Sequence, residues 1–132
     1  MKSTAQNEIV VATRDASGGN PTPTLYVFSG AGAVLDSQAA WHGGSLGQPP
    51  TLADLDGDQK LDIVVAESGS STGWVYVVDG NLDVLPGWPQ TLDHVPATSA
   101  AVGDVDGDGA DDVVICSFRS IWAWDAAGAL LD

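Results

Sequence analysis

One feature constrains this chain more than any other: it repeats itself. Three segments read alike, Glu8-Ile-Val-Val-Ala12, Asp62-Ile-Val-Val-Ala66 and Asp112-Val-Val-Ile-Cys116; Glu8 to Asp62 is 54 residues and Asp62 to Asp112 is 50. Each is followed by a second apolar segment, Leu25-Tyr-Val-Phe28, Val75-Tyr-Val-Val78 or Ile121-Trp-Ala-Trp124, and then by a turn: Ser29-Gly-Ala-Gly32, Asp79-Gly-Asn-Leu82 or Asp125-Ala-Ala-Gly128. A further pair, Pro50-Thr-Leu-Ala53 and Ala100-Ala-Val-Gly103, precedes two Asp-rich stretches. These segments are short, rich in β-branched or aromatic residues, and bounded by Gly, Pro or Asp, so they read as strands. No segment sustains a helical apolar period.

A period near 50 residues with four short strands per unit is the propeller pattern, in which each blade covers its neighbour. The fold class expected is all-β: about two and a half four-stranded antiparallel blades, forming an open arc or part of a ring completed by other chains. The chain is expected to be a single segment, 1–132, with repeat units near 7–61, 62–111 and a partial 112–132. With strands lettered A to D outward from the axis, the first unit starts at strand B and the third stops near strand D. Because Ile-Val-Val runs are apolar on alternate residues of both faces, strand B is expected to be buried on both sides. Open ends leave apolar faces and strand edges uncovered, which points to homo-oligomerisation or to a longer propeller.

The two A–B loops are Asp54-Leu-Asp-Gly-Asp-Gln-Lys-Leu-Asp62 and Asp104-Val-Asp-Gly-Asp-Gly-Ala-Asp-Asp112. Both carry Asp at positions one, three, five and nine and Gly at four. Calcium takes six to eight hard oxygens in flexible geometry, and alternating carboxylates in a tight loop supply them. The expected ligands are Asp54, Asp56, Asp58, the Lys60 carbonyl and Asp62 in one loop. In the other they are Asp104, Asp106, Asp108, the Ala110 carbonyl and Asp112, giving two calcium ions per chain. Zinc is poorly served without His or Cys. An EF-hand fails because position twelve is Val65 or Ile115 and a strand follows.

The formal net charge of −14, with only four Lys plus Arg, excludes a phosphate-neutralising surface and so a nucleic-acid partner. No apolar run approaches a membrane span. Met1 to Gln6 lacks the apolar core of a signal peptide, so a secretion signal, if used, lies outside this chain. Cys116 is the single cysteine and is expected to be a small buried thiol. The aromatic residues recur in repeat columns, which reads as packing between blades. Trp74 is the Trp freest to be exposed, and Trp41 and Trp88 are expected after strand D.

These residues resemble the FG-GAP (VCBS) repeat family, the integrin-α-like propeller blades. The resemblance rests on Asp104-Val-Asp-Gly-Asp-Gly-Ala-Asp-Asp-Val-Val114, on Leu52-Ala-Asp-Leu-Asp-Gly-Asp58 with Leu61-Asp-Ile-Val-Val-Ala66, and on Trp74-Val-Tyr-Val-Val-Asp-Gly80 leading to Leu85-Pro-Gly-Trp-Pro89. It implies calcium at the Asp positions and an extracellular, cell-surface or periplasmic setting. The expected function is a non-catalytic module for adhesion or recognition of a glycan or protein, with structural calcium. The alternative is a propeller fragment of a secreted enzyme such as a polysaccharide lyase or peptidase. Strand alternation puts the Asp loops on one face and the longer B–C and D–A connections on the other, where Arg14, His42, Glu67, His94 and Arg119 are the expected ligand contacts.

Overall fold

The computed structural model describes residues 7–14 and 22–132. Among these residues the regular structure is entirely β, in three antiparallel sheets. The first sheet has the order β1 (Glu8–Ala12), β2 (Thr24–Ser29), β3 (Val34–Ala39). The second has β4 (Thr51–Ala53), β5 (Asp62–Ser68), β6 (Gly73–Val78) and β7 (Gln90–Leu92) in sequential order. The third pairs β8 (Ala101–Gly103), β9 (Asp112–Cys116) and β10 (Ile121–Trp124), again in sequence. Each sheet is a sequential meander, so each is one propeller blade, complete in the second and partial in the outer two. The expected B and C strands are all present. Strand D of the central blade is β7, so Trp88 precedes strand D rather than following it.

Registers repeat between blades. Ile63 faces Val78 and Val65 faces Tyr76 in the second blade; Val113 faces Trp124 and Ile115 faces Trp122 in the third. Ile9 faces Phe28 and Val11 faces Tyr26 in the first. Side chains alternate across a strand, so each blade has two apolar faces, and the core lies between blades. Leu25 and Val27 meet Ile63, Val65, Tyr76 and Val78 between blades one and two. Val64, Ala66, Val75 and Val77 meet Val113, Ile115 and Trp124 between blades two and three.

Among the described residues, only the middle blade is covered on both sides. Asp62 to Glu67 are buried without interruption, whereas β1 alternates between half-buried and exposed residues. The expectation of two-sided burial therefore holds for β5 and fails for β1, whose outward face has no neighbouring blade among the described residues. Cys116 is half-buried rather than buried for the same reason.

The blades are tied together at both ends of their strands. After β3 the chain bridges to the next blade through Ser45 and Ser68, which exchange N–H···O bonds of 2.9 and 2.8 Å. The same device recurs after β7, where Ala97 donates to the Cys116 carbonyl and Phe118 to that of Val95. Near the axis the Thr51 hydroxyl donates to the Ala100 carbonyl at 2.6 Å. On the Asp-loop side Gly87 and Gly128 bring their backbones together: a Cβ at Gly87 would fall on the Ala127 carbonyl, and one at Gly128 on the Gly87 carbonyl.

Candidate metal centre

The A–B loops occupy 54–61 and 104–111, and their backbone geometry is duplicated. Asp54 Oδ1 accepts from Gly57 N at 2.8 Å, and Asp104 Oδ1 from Gly107 N at 2.7 Å. The second oxygens accept from Gln59 N and Gly109 N, both at 2.9 Å. Asp56 and Asp106 accept from Asp58 N and Asp108 N at 3.1 and 3.0 Å. Asp58 and Asp108 accept from Lys60 N and Ala110 N at 2.9 and 2.8 Å. Each Asp thus bends the chain around its own side chain, an Asx-type turn repeated along the loop. Gly57 and Gly107 carry the positive φ of +78° and +82° that this winding needs.

The ninth aspartates begin strand B and are buried. Asp62 Oδ2 accepts from Leu55 N at 2.9 Å and Asp112 Oδ2 from Val105 N at 2.8 Å. Asp112 Oδ1 is buried with no hydrogen-bond partner. A bare carboxylate oxygen out of water is unfavourable unless a donor or cation meets it.

Carboxylate oxygens of Asp54, Asp56 and Asp62 lie within 4.8 Å of one another, as do those of Asp104, Asp106 and Asp108. Asp58 stands apart from the first group and Asp112 from the second, so each loop gathers three of its four expected carboxylates. Crowding shows in the titration of these groups. Burial raises Asp62, and the charges of Asp56 and Asp58 add to it although the Leu55 and Asp56 amides pull the other way. The Gly109 amide, followed by those of Gly107 and Asp108, holds Asp104 low. For Asp106 the Asp108 amide lowers the value, but desolvation and the neighbouring Asp108 and Asp112 carboxylates outweigh it, leaving it raised.

The opposite face is arranged differently from the sequence expectation. Glu67 is fully buried, so it cannot serve as a ligand contact. Its Oε1 instead accepts from His42 N and Gly44 N at 2.9 and 2.8 Å, fastening the segment after β3 to blade two. His42 stacks on Trp74 with ring centroids 3.9 Å apart, and a 2.7 Å hydrogen bond joins its Nδ1 to the Tyr76 hydroxyl. Burial, then the Glu67 charge, pushes the Tyr76 hydroxyl far above its ordinary range. Trp74 is thereby half-covered by His42 rather than free, and Trp41 stacks on Tyr76 at 4.0 Å.

Arg14 lines a cleft of about 380 Å³ with Ser45, Gln48, Ser68, Pro96 and Phe118, on which all three blades converge. His94 sits edge-on to Phe118, and Arg119 adjoins the Ser117 turn. Residues 15–21, in the B–C connection of the first blade, lie outside the described residues. Asp93, which the sequence did not single out, accepts from Ser117 Oγ and Ser120 Oγ at 2.7 Å and from Trp122 Nε1 at 3.2 Å. Those hydroxyls, Ser117 foremost, hold its carboxyl below the ordinary value.

Short antiparallel sheets stacked face to face, with evenly spaced aspartates in the A–B loops, define a repeat protein built of propeller blades. Residues 54–115 match the family described as FG-GAP-like repeat. The matched segment contains both Asp loops and strands β5, β6 and β7 of the central blade. No curated protein and no solved structure matches the chain.

Proposed function

We propose that this chain is a calcium-stabilised, non-catalytic recognition module that works outside the cytoplasm. The observation that carries the reading is the duplicated loop, in which carboxylates of like charge converge twice with the same backbone geometry. Like charges at this separation repel, and calcium offsets that repulsion with the hard-oxygen coordination it prefers. The bare Asp112 Oδ1, outside that group of three, is a further buried oxygen available to a cation. Asp54, Asp56, Asp58 and Asp62 would hold one ion, and Asp104, Asp106, Asp108 and Asp112 the other, with the Lys60 and Ala110 carbonyls as further ligands. Bound calcium would supply charge neutralisation, while the chain's own Asx turns fix the loop shape.

The ligand, a glycan or a protein, would bind across the cleft beside Arg14, where three blades meet and a cation faces an otherwise acidic molecule. An extracytoplasmic setting rests on the family's usual location; among the described residues no helix is long and apolar enough to cross a membrane.

Calcium titration followed by thermal unfolding tests the reading. At calcium a hundredfold above Kd, each site adds about 2.7 kcal/mol of stability. Chelation should therefore lower Tm by roughly 10 °C or more, and Asp104→Ala should remove about half of that response. A melting curve that ignores both chelator and calcium refutes the mechanism.

A further inference from the structure

The two internal junctions between blades use one set of columns on each side. Toward its predecessor, blade two presents Ile63, Val65, Tyr76 and Val78. Blade three presents the matching Val113, Ile115 and Trp124, with Trp122 packed alongside. Toward its successor, blade two presents Val64, Ala66, Val75 and Val77. Blade one presents the matching Leu25 and Val27, with Val10 and Ala12 alongside. The strand registers are the same in all three blades, so these columns are structurally equivalent.

Each end of the stack therefore shows one half of this same junction. Blade one turns Ile9, Val11, Tyr26 and Phe28 outward, the columns of Ile63, Val65, Tyr76 and Val78. Blade three turns Val114, Cys116, Ile121 and Ala123 outward, the columns of Val64, Ala66, Val75 and Val77. None of these eight side chains is charged, in a chain of net charge −14. Ile9 is 53% exposed and Ile121 is 75% exposed, an unusual amount of water contact for residues at positions that the middle blade buries completely.

We infer that a second copy of this chain is the occupant of these faces, docking the outward face of its first blade on the outward face of the third. The contact continues across two molecules a junction that one molecule already makes twice. It is heterologous: the two faces differ, so addition of copies proceeds head to tail and ends only where the rotation closes a ring. Burying the paired faces removes apolar surface from water, the same driving force that joins the blades within one chain.

Sedimentation velocity of the full chain in calcium, over a wide range of concentration, tests the inference. The wild-type chain should shift from monomer to larger species as concentration rises. Ile9→Lys and Ile121→Lys each place a charge on one exposed face and should each be wholly monomeric with unchanged melting temperature. Mixed in equal amounts, they should form a one-to-one dimer and nothing larger, because each retains the face that the other has lost. Leu52→Lys, a charge-matched change away from both outward faces, should associate as the wild type does. A wild-type chain that stays monomeric at every concentration overturns the inference. So does an Ile121→Lys variant that self-associates normally, since that outcome means like faces meet. Calcium uptake is measured in the same samples, so a wild-type chain that takes up calcium yet stays monomeric refutes this inference and leaves the metal reading standing.

Discussion

Glu67 offers a direct measure of how firmly consecutive blades are fastened. Its carboxylate accepts two backbone N–H bonds from the segment that leaves blade one, while its Oε2 is buried without a partner. Glu67→Ala removes both acceptors. Hydrogen bonds to a charged group contribute roughly 1.5–3 kcal/mol each. Against that loss stands the recovered cost of burying a carboxylate with one bare oxygen, about 1–3 kcal/mol. The His42 and Gly44 amides also lie near enough to the surface to regain some water. The net expectation is a destabilisation of about 2–3 kcal/mol.

Glu67→Gln separates the acceptor from the charge. It keeps an oxygen for the two amides and replaces the bare oxygen with a donor on the side of His42, whose Nδ1 lies 3.9 Å from Glu67 Oε2. Weaker bonds to a neutral acceptor are offset by the lost desolvation, so Gln should stay within about 1 kcal/mol of the wild type. Urea unfolding followed by tryptophan fluorescence is the assay, since Trp41 and Trp74 both lie at this junction. An unchanged slope with a lower midpoint would locate the effect in stability. An Ala variant as stable as the wild type, or a Gln variant as damaged as Ala, would refute the reasoning.

Three further outcomes follow from the same structure. Trp124, 2% exposed between blades two and three, should cost about 3–5 kcal/mol on replacement by Ala, read by the same denaturation. Gly87→Ala forces a Cβ onto the neighbouring blade at a φ of +90°; the conformation alone costs about 1–2 kcal/mol, so calorimetry should show a clearly lower Tm. Asp93 is depressed in the folded state, so its contribution is complete above the ordinary value of 3.8 and is lost as pH falls through the lower folded value. The Tm gap between wild type and Asp93→Asn should accordingly be widest near neutrality and close in acid, and a gap that widens in acid would contradict this sign.

The parts legible in the sequence were those whose pattern is set by burial or by turn chemistry. Strands B and C carry apolar residues at every position because the middle blade is covered twice, and the Asp loops announce themselves through spacing alone. Strand D is the outermost and carries no such pattern: Val34-Leu-Asp-Ser-Gln-Ala39 is largely exposed, and Gln90-Thr-Leu92 is too short to show one. Glu67 and Asp93 were misread or passed over because a carboxylate in sequence looks solvated, whereas here each collects donors from an adjacent blade. A hint did exist for Glu67, which directly continues an apolar run and so extends a strand buried on both sides. The stacking of His42 on Trp74 spans residues far apart in the chain, which no local pattern encodes.

The alternation of strand direction also sorts charge. Both Asp loops and the turns carrying Asp79, Asp83 and Asp125 stand at one end of the sheets, whereas Arg14, His42, His94 and Arg119 stand at the other. The module therefore has a permanent electric moment along the blade axis. In dilute salt an anion near the module would be turned toward the arginine end, and the acidic end would repel it. Because the Debye length shrinks to about 8 Å at physiological ionic strength, this orientation acts in the last moments of approach, and filling the loops with divalent cations would weaken it further.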